Sequence, residues 1–445
     1  MTTRAAGELL ARLEPLGIRL DLADFRRLLA ACGSPERRLA TVVVGGTNGK
    51  GTVSALLDSM ARSAGLRVGL YTSPHLERWE ERIRIDGSEI PAADLGDRLD
   101  DVVRAAAQAE LPLPTVFEAL TAAALLHFVE RPVDLAVLEV GMGGRLDATN
   151  VTNPLVTVVT RIALDHREWL GDDLAAIARE KAGIFRREVA AVVAQQEGEA
   201  GGALAAAADD AGAPLRRVTD EVVDLEAEWR GLAGHRVTLR TRRRDYRFEL
   251  PLAGEHQIGN LATAVVAGEI LGERFPELDR AAMERGVAAV RWPARLERIP
   301  LLRPPLDVLL DAAHNPDGCA ALLRFLDRLG RSYVLLFGAL ADKDVEAMLP
   351  PLAAAAVGVV LTRPESARAR EPESLLGFLR AGATASVEPT AAAALAAALR
   401  IAASGGVDLV VACGSIVVAG AIRRELGRLG AHVASEARGS SAEFP

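Results

Sequence analysis

The sequence contains few cysteines and no hydrophobic run long enough to cross a membrane. Its three cysteines, Cys32, Cys319 and Cys413, are far apart and form no CxxC pair, so their spacing indicates neither a disulfide framework nor a cysteine-based zinc site. The longest largely apolar run covers 14 residues, from Leu409 to Ile422, whereas a membrane helix needs about 20. We therefore expect a core strand there and no membrane partner. Because the N-terminus also lacks the apolar core of a signal peptide, we expect a cytoplasmic protein.

An excess of positive charge is also lacking. The 445 residues include 52 basic and 60 acidic side chains, for a net charge of −8, which argues against a protein that coats nucleic acid. Half of the residues are hydrophobic and a quarter are charged, as is typical of globular proteins and not of disordered chains. At about 100–200 residues per domain, the length predicts two or three domains.

What the sequence does contain is a repeated order of β-branched runs, glycine turns and helical stretches. The runs Ala40–Val44, Val133–Val140 and Leu155–Thr160 follow this order, which predicts parallel sheets with helices on both faces. Alternating apolar and charged residues over Val218–Leu252 predict a small antiparallel sheet with one face in water. The β/α order resumes after the proline-rich stretch Arg291–Pro305.

A glycine-rich loop separates a predicted strand from a predicted helix at residues 42–53, which read VVVGGTNGKGTV. Glycines let backbone N–H groups converge on phosphate, and the helix N-terminus adds partial positive charge. Lys50 would neutralise the β- and γ-phosphates, and Thr52 offers a hydroxyl near Mg²⁺. The match to G-x-x-x-x-G-K-[ST] is imperfect because Gly51 separates Lys50 from Thr52, so an ordinary glycine turn is the alternative. The absence of a guanine-binding N-K-x-D motif favours ATP over GTP.

Three potential metal ligands, Ser73, Glu139 and His166, stand where predicted strands end. Because ligands bind beyond the carboxyl ends of strands in open α/β sheets, all three can face the glycine loop. Oxygen donors suit Mg²⁺, and one imidazole is admissible for Mg²⁺ or Mn²⁺. Taken singly, Ser73 could instead be a turn residue, and His166 a surface or capping histidine.

These patterns predict an α/β fold of two domains. Residues 1–297 form a P-loop-containing ATPase domain, with a mostly parallel sheet plus a small antiparallel sheet. Residues 298–445 form a smaller, Rossmann-like α/β domain.

The loop motif GTNGKGT resembles the nucleotide loop of the Mur ligase superfamily, specifically that of folylpolyglutamate synthases and of the bacterial bifunctional enzymes that are also dihydrofolate synthases. Further segments match in order, among them RLDATN at 145–150, REKAGIF at 179–185 and RWPARLE at 291–297. In the last of these, Ala294 replaces the glycine of the family motif W-P-G-R. The resemblance implies a Mur-ligase-type ATP-binding central domain followed by a C-terminal Rossmann-like ligase domain.

The resemblance also implies a set of site residues. Those expected at ATP are Asn48, Gly49, Lys50, Gly51, Thr52, Asn260, Arg295, Asp311 and His314. Those expected at Mg²⁺, of which we expect two ions, are Ser73, Glu139, His166 and, if it is carbamylated, Lys181. Those expected at the pterin or folate are Thr115, Val116, Phe117, Glu118, Leu146, Asp147 and Ala148. The groups expected to act in catalysis are Lys50, His166, Lys181 and Arg295.

Single residues in this set keep ordinary structural alternatives. Lys181 could be a lysine on a helix surface, and Asp311 could be a helix N-cap. The segment SPHLERWEERIRIDG at 73–87 matches a family loop near the substrates through His75, Glu81 and Arg82, although it could be a charged amphipathic loop.

The activity implied is an ATP-dependent ligase that adds L-glutamate to dihydropteroate, forming dihydrofolate, and to folates, through an acyl phosphate. RLDATN resembles the bifunctional bacterial enzymes more than the eukaryotic synthases. The alternatives are a folylpolyglutamate synthase only, another Mur-type ligase that joins a different acid and amino acid, or a nucleotide-driven switch that is not an enzyme. We expect small-molecule partners, no nucleic acid and a monomer.

Overall fold

The computed structural model describes residues 3–19, 21–302 and 305–430. The chain divides into two compact units. The first contains the chain up to Glu228 together with Arg236–Leu250 and Ile258–Val290. The second contains Trp229–His235, Pro251–Gln257 and the chain from Arg291 onward. The chain therefore enters the second unit at two short segments before the main transition at Arg291.

The first unit is built on a mostly parallel sheet. Among the described residues, eight strands form it in the order β4-β3-β2-β5-β1-β6-β7-β8, in which β3 is antiparallel to both β2 and β4. The strands are β1 Thr41–Gly45, β2 Val68–Tyr71, β3 Ile83–Ile85, β4 Ser88–Glu89, β5 Leu135–Glu139, β6 Pro154–Val159, β7 Ala190–Val193 and β8 Leu215–Arg217.

The central strands of this sheet end at one edge. Strand β1 is parallel to β5 and to β6, with Val44 opposite Glu139 and Gly45 opposite Val159. All three strands are almost wholly buried, which explains their continuous β-branched and apolar runs. The loops that leave their carboxyl ends therefore start side by side.

A second sheet in the first unit is antiparallel. Its strands, in the order β11-β10-β9, are β9 Val222–Trp229, β10 His235–Thr241 and β11 Asp245–Leu250. Side chains of β10 and β11 alternate strictly between buried and exposed. The predicted sheet with one wet face is confirmed.

The second unit has its own mixed sheet. Among the described residues, its order is β12-β13-β17-β14-β15-β16, and only the β12–β13 pair is antiparallel. The strands are β12 Glu297–Leu302, β13 Pro305–Leu310, β14 Val334–Phe337, β15 Gly358–Thr362, β16 Ala385–Glu388 and β17 Leu409–Cys413. The predicted fold class, a mostly parallel α/β domain with a small antiparallel sheet and then a smaller α/β domain, is confirmed.

The core strand predicted within the apolar run Leu409–Ile422 is present, but it occupies only the first part of the run. The run is a strand to Cys413, a turn at Gly414 with φ of 96°, and then a helix that begins at Ile416. The Ser415 hydroxyl caps that helix by accepting a hydrogen bond from the Val417 amide. Continuous hydrophobicity did not reveal the break, because both the strand and the helix are buried.

Helices cover the sheets and close the cores. Those of the first unit are α1 Thr3–Leu13, α2 Ala23–Ala31, α3 Lys50–Ser63, α4 Ala92–Gln108, α5 Val116–Glu130, α6 Arg167–Leu170, α7 Leu174–Ala182, α8 Ala200–Ala211, α9 Val218–Glu221, α10 His256–Leu271 (whose first two residues belong to the second unit) and α11 Arg280–Ala289. Those of the second are α12 Pro316–Leu329, α13 Val345–Ala354, α14 Ala391–Ser404 and α15 Ile416–Arg428. None of the helices in the described ranges combines the length and apolar character needed to cross a bilayer.

Candidate active site

The glycine loop connects β1 to α3 through residues 46–49. The amides of Thr47 and Asn48 both donate to the Arg161 carbonyl, at 2.9 and 3.1 Å. The Lys50 ammonium, on the first residue of α3, donates to the Thr47 carbonyl at 3.0 Å. The loop is therefore closed on itself, with its lysine at the N-terminal end of a helix, where the helix dipole favours an anion.

Two glycines in this loop have no room for a side chain. Gly46 and Gly49 have φ of 132° and 94°, a region that L-residues with a side chain rarely adopt. A Cβ on Gly49 would lie 2.3 Å from Asn260 Oδ1, and one on Gly46 would lie 1.9 Å from Thr160 Oγ1. Asn260, far along the chain on α10, is thereby placed directly against the loop.

Thr52 has a buried hydroxyl without a hydrogen-bond partner among the described residues. It lies in the first turn of α3. An unpaired buried hydroxyl is energetically unfavourable unless a ligand or ion completes its interactions. The position and chemistry of Thr52 therefore fit a hard cation beside phosphate.

Glu139 and Ser73 are joined by a hydrogen bond. The Ser73 amide donates to Glu139 Oε2 at 3.1 Å. Glu139 ends β5 and is buried, so the edge of the sheet next to the glycine loop carries a carboxylate. The structure thus brings together two of the predicted metal ligands.

His166 stands between β6 and α6 in the left-handed region, with φ of 51°. Its amide donates to Asp165 Oδ1, and its Nε2 lies 3.9 Å from Asp165 Oδ2. The imidazole is about one-third exposed, so it is neither a core residue nor a fully solvated one. Asp165 was not among the predicted site residues, because an acidic residue in a loop carries no signal of its own in a single sequence.

Lys181 is buried on α7, so the alternative of a helix-surface lysine is wrong. Its ammonium donates to the Gly46 carbonyl in the glycine loop at 2.8 Å. Burial lowers the pKa of the Lys181 amine to about 7, with a further lowering by the charge of Lys50 and opposition from Asp165 and Asp147. At neutral pH a large fraction of this amine is therefore uncharged.

The segment Thr115–Glu118 begins α5 with reciprocal hydrogen bonds. The Thr115 amide donates to Glu118 Oε2 at 2.7 Å, and the Glu118 amide donates to Thr115 Oγ1 at 3.2 Å. Arg19 approaches the same carboxylate at 3.6 Å, but Glu118 Oε1 is buried and accepts no hydrogen bond from the described residues. This capping box leaves one acceptor available to a ligand.

Phe117 packs over the turn that follows β5. A Cβ on Gly141 would lie 2.6 Å from the Phe117 ring, and the Tyr71 ring centroid lies 6.0 Å from that of Phe117. Val116 and Leu146 are half-buried, whereas Ala148 is buried. Phe117, from the first segment predicted at the pterin, thus lies against Gly141, whose amide donates to Asp147 of the second segment.

Asp147 is occupied by its own loop. Its Oδ2 accepts from the Gly141 and Met142 amides, both at 3.0 Å, and its Oδ1 accepts from the amide and hydroxyl of Thr149 at 3.0 and 2.6 Å. Burial raises the pKa of Asp147, although these hydrogen bonds oppose the rise. Four donors fill the lone pairs of one carboxylate, so this geometry assigns Asp147 to shaping the turn.

Arg295, Asp311 and His314 lie together in the second unit. Asp311 accepts from the Leu296 amide at 2.9 Å and from the Ala313 amide at 2.8 Å. Burial raises the pKa of Asp311, and the charge of Arg295 opposes that rise. His314 Nδ1 lies 2.9 Å from the Ala312 carbonyl.

The helix-cap alternative for Asp311 is wrong, because Asn315 caps α12 by accepting from the Gly318 amide at 2.8 Å. The predicted site residues therefore form two sets, one in each unit. Within the described ranges, no three histidine, cysteine or acidic side chains cluster as a preformed metal site. A cation would accordingly need hydroxyl, phosphate or water oxygens in addition to the predicted ligands.

Two family models match the chain. That of the Mur ligase middle domain matches residues 44–268, and that described as the Mur ligase, glutamate ligase domain matches residues 294–416. Together with the two α/β units and the glycine loop, these matches define a ligase of the Mur type.

Individual relatives narrow this class. The dihydrofolate synthase/folylpolyglutamate synthase of Mycobacterium tuberculosis is 37% identical over 376 residues, which are 80% of this chain and 76% of that one. A probable bifunctional folylpolyglutamate synthase/dihydropteroate synthase of Haloferax volcanii is 37% identical over 79% of this chain, which spans only 42% of that protein's length. The solved structure of Escherichia coli FolC in complex with DHPP and ADP superposes with a TM-score of 0.84 at 31% identity, covering 96% of this chain and 98% of that one. The chain belongs to the folylpolyglutamate synthase/dihydrofolate synthase family, as its motifs predict.

Proposed function

We propose that this chain is an ATP-dependent ligase that adds L-glutamate to dihydropteroate and to folates. The observation that carries the proposal is the closed glycine loop, with Lys50 at the start of α3 and the buried groups Glu139 and Lys181 beside it. Support for the acid and the amino acid comes from the relatives, whose names include both synthase activities. The bifunctional reading is favoured over a folylpolyglutamate synthase alone by the motif RLDATN.

The reaction proposed has two steps and needs no protein nucleophile. An oxygen of the substrate carboxylate attacks the γ-phosphorus of ATP, ADP leaves, and an acyl phosphate forms. The amine of glutamate then attacks the acyl carbon, phosphate leaves, the nitrogen loses a proton, and an amide forms. Lys50 stabilises the transferring charge, and we assign Arg295, Asp311 and His314 of the second unit to the nucleotide as well.

We propose that Ser73, Glu139, His166 and modified Lys181 hold Mg²⁺, with two ions expected. The buried carboxylate of Glu139 and the unpaired hydroxyl of Thr52 suit a hard cation. Bound Mg²⁺ supplies positive charge next to the phosphates. The residues themselves fix where that charge lies, since Glu139 is held by the Ser73 amide.

We propose further that Lys181 is carbamylated. Carbon dioxide reacts with an uncharged amine, and the lowered pKa of Lys181 provides one at neutral pH. The product is a carboxylate-like anion, which removes a buried cation. Labelled bicarbonate should give a carbamate resonance in carbon NMR of the wild-type protein and none in a Lys181→Met variant; a missing resonance in both would contradict the modification.

On the acid side, Phe117 offers a ring face, and the unpaired Glu118 Oε1 offers an acceptor for an amino group of the pterin. Thr115 and Val116 place these two side chains at the start of α5. Asp147 holds the turn that carries Leu146 and Ala148. We propose that these residues bind the pterin of dihydropteroate or of a folate.

The experiment that tests the function is an assay of the purified chain with ATP, Mg²⁺ and glutamate, with dihydropteroate or tetrahydrofolate in parallel. Phosphate release that depends on either acid and on glutamate supports both activities. Dependence on tetrahydrofolate alone leaves a folylpolyglutamate synthase, and turnover only with another acid indicates a different Mur-type ligase. ATP turnover indifferent to acid and glutamate would indicate the switch. A monomer in the cytoplasm stays a prediction, which sedimentation and cell fractionation check.

Lys50→Ala should abolish turnover while changing the free energy of unfolding little. The reason is that, among the described residues, the Lys50 ammonium hydrogen-bonds to a loop carbonyl, so the variant mainly loses the positive charge at the phosphates. Steady-state rates and urea unfolding of the same preparation check this. Near-normal turnover would remove Lys50 from the site.

A further inference from the structure

We infer that Arg82 binds the reacting carboxylate of the acid substrate and that His75 and Trp79 hold it in place for this task. The inference rests on the proposed function and names a residue of the same site. Arg82 ends the short 3-10 helix Trp79–Arg82 and directly precedes β3. Its side chain belongs to the first unit, like the glycine loop.

The guanidinium of Arg82 is positioned by two rings. Arg82 Nε donates to His75 Nδ1 at 3.0 Å, and the guanidinium carbon lies 4.7 Å from the centroid of the Trp79 ring. The His75 and Trp79 rings contact each other edge-on, with centroids 4.4 Å apart. An arginine held by a cation–π contact and by an imidazole acceptor loses most of its rotamer freedom before any ligand arrives.

The two terminal nitrogens of Arg82 have no hydrogen-bond acceptor within the described part of the chain. The residue is only 9% exposed, yet among the residues that the structure describes none accepts a hydrogen bond from these nitrogens. The adjacent Glu81 is already engaged, because its carboxylate accepts from the amides of Leu76, Glu77 and Arg78 at 2.7–2.9 Å. A largely buried guanidinium with two donors left over is stabilised by an anion that accepts hydrogen bonds from them, so these nitrogens are available to a ligand.

The surroundings indicate which part of the site this anion occupies. The Arg82 carbonyl accepts from the Thr72 amide at 2.9 Å, which ties it to the residue before Ser73. The carboxylate of Glu139 favours the charged form of Arg82 and so raises its pKa, against the larger lowering by burial. Tyr71 pairs with Ile83, the residue after Arg82, and its ring lies beside that of Phe117. Arg82 is therefore linked through its neighbours both to the carboxylate of the candidate metal site and to the segment assigned to the acid substrate.

A carboxylate fits this position better than a nucleotide phosphate. Nε is used by His75, so the remaining pair of terminal nitrogens presents the two-pronged end that matches a planar carboxylate. The phosphates already have the glycine loop, Lys50 and the start of α3. The positive charge of Arg82 also offsets the repulsion that an incoming carboxylate would meet from Glu139.

Arg82→Lys and Arg82→Gln test the inference by separating the two substrates. Each should raise the KM for dihydropteroate, and for tetrahydrofolate, by roughly tenfold to a hundredfold, the loss of one charge-assisted hydrogen bond. The KM for ATP should stay within about twofold, because the nucleotide contacts are unchanged. Added guanidinium chloride at millimolar concentration should partly restore turnover in Arg82→Ala.

The matched control is Arg78→Gln. Arg78 lies in the same segment, is largely exposed and pairs with Glu89. The KM for the acid substrate and the KM for ATP should therefore both stay as in the wild type. His75→Asn keeps an acceptor near the position of Nδ1 and should be milder than His75→Phe, which removes it. Equal effects of the two His75 variants on the KM for the acid would contradict the positioning role.

Each outcome decides a separate question. A rise in the KM for ATP alone would assign Arg82 to phosphate, and unchanged KM values would remove it from the site; both overturn the inference while the ligase activity stands. If Arg82→Gln does not fold, Arg82→Lys and the His75 pair decide it. A wild-type chain without acid-dependent turnover would instead overturn the proposed function.

Discussion

Ala294 has a backbone conformation that suits glycine. Its φ is 52°, and an L-residue in the left-handed region carries a cost of about 1–2 kcal/mol. The conformation is fixed by two hydrogen bonds, one from the Ala294 amide to Glu297 Oε2 and one from the Ala312 amide to the Ala294 carbonyl, each 2.9 Å long. The family motif W-P-G-R has glycine here, so this chain keeps the loop beside Arg295 with local strain.

Ala294→Gly should therefore raise the free energy of unfolding by about 0.5–1 kcal/mol, because relief of the left-handed strain exceeds the extra entropy of glycine in the unfolded chain. Urea unfolding measures the change. Ala312→Gly, a neighbouring buried alanine without positive φ, is the control and should be destabilising. A loss of stability in both variants would show that Ala294 is not strained.

At the scale of elements, helix α3 couples the glycine loop to the interior of the first unit. Every residue from Gly51 to Ala61 is buried. Helix α11 lies directly on α3, since a Cβ on Gly286 would be 2.4 Å from Met60 Cα. The Ser59 hydroxyl also donates to the Gly286 carbonyl at 2.7 Å. The contact of the two helices thus depends on the absence of one side chain.

Gly286→Ala should destabilise the protein by about 1–3 kcal/mol, because backbone lies where the new methyl group must go and the helices have to separate. Since α3 carries Lys50 at its start, the affinity for ATP should fall as well. Gly202→Ala is the matched control: it lies on α8 with open space around its Cβ position and should be stabilising by about 0.5–1 kcal/mol. Thermal unfolding and ATP-binding measurements give the stability and the ATP affinity of both variants. Equal changes in the two variants would contradict the close packing of α3 and α11.

At the scale of the whole molecule, several histidines fold in the uncharged state. Burial lowers the pKa of His127 to about 4 and that of His256 to about 4, the latter helped by Arg295. Burial lowers the pKa of His235 as well. These imidazoles cannot be protonated in the folded chain unless they become exposed or a positive charge is buried.

The free energy of unfolding should therefore fall as the pH drops from 6.5 towards 4. In that window the unfolded chain binds protons that the folded chain does not, and each such histidine contributes up to about 1.4 kcal/mol per pH unit. His127→Leu should reduce the slope of the free energy of unfolding against pH by the contribution of one histidine. The substitution removes no hydrogen bond of Nδ1, which has no partner among the described residues. Urea unfolding at pH 7, 6 and 5 measures the slopes; parallel slopes for the variant and the wild type would contradict the assignment.

The sequence alone determined the elements whose signals are local. The spacing of GTNGKGT between a strand and a helix identified the glycine loop, and β-branched runs identified the parallel strands, because a turn or a buried strand depends on neighbouring residues. The same motifs predicted the protein family, and the comparisons confirm that prediction. Glu139 was likewise found from its place at the end of an apolar strand.

Tertiary structure alone decided which side chains meet. Nothing near Asn260 indicates that it packs on Gly49, or that Lys181 reaches the Gly46 carbonyl. Nor do local residues reveal that Asp147 has all its acceptors filled while Glu118 keeps one unpaired. The burial that lowers the pKa values of His127, His256 and Lys181 arises from atoms brought together across long chain separations. A pattern read along the chain contains no distances between such atoms, and only the folded packing supplies them.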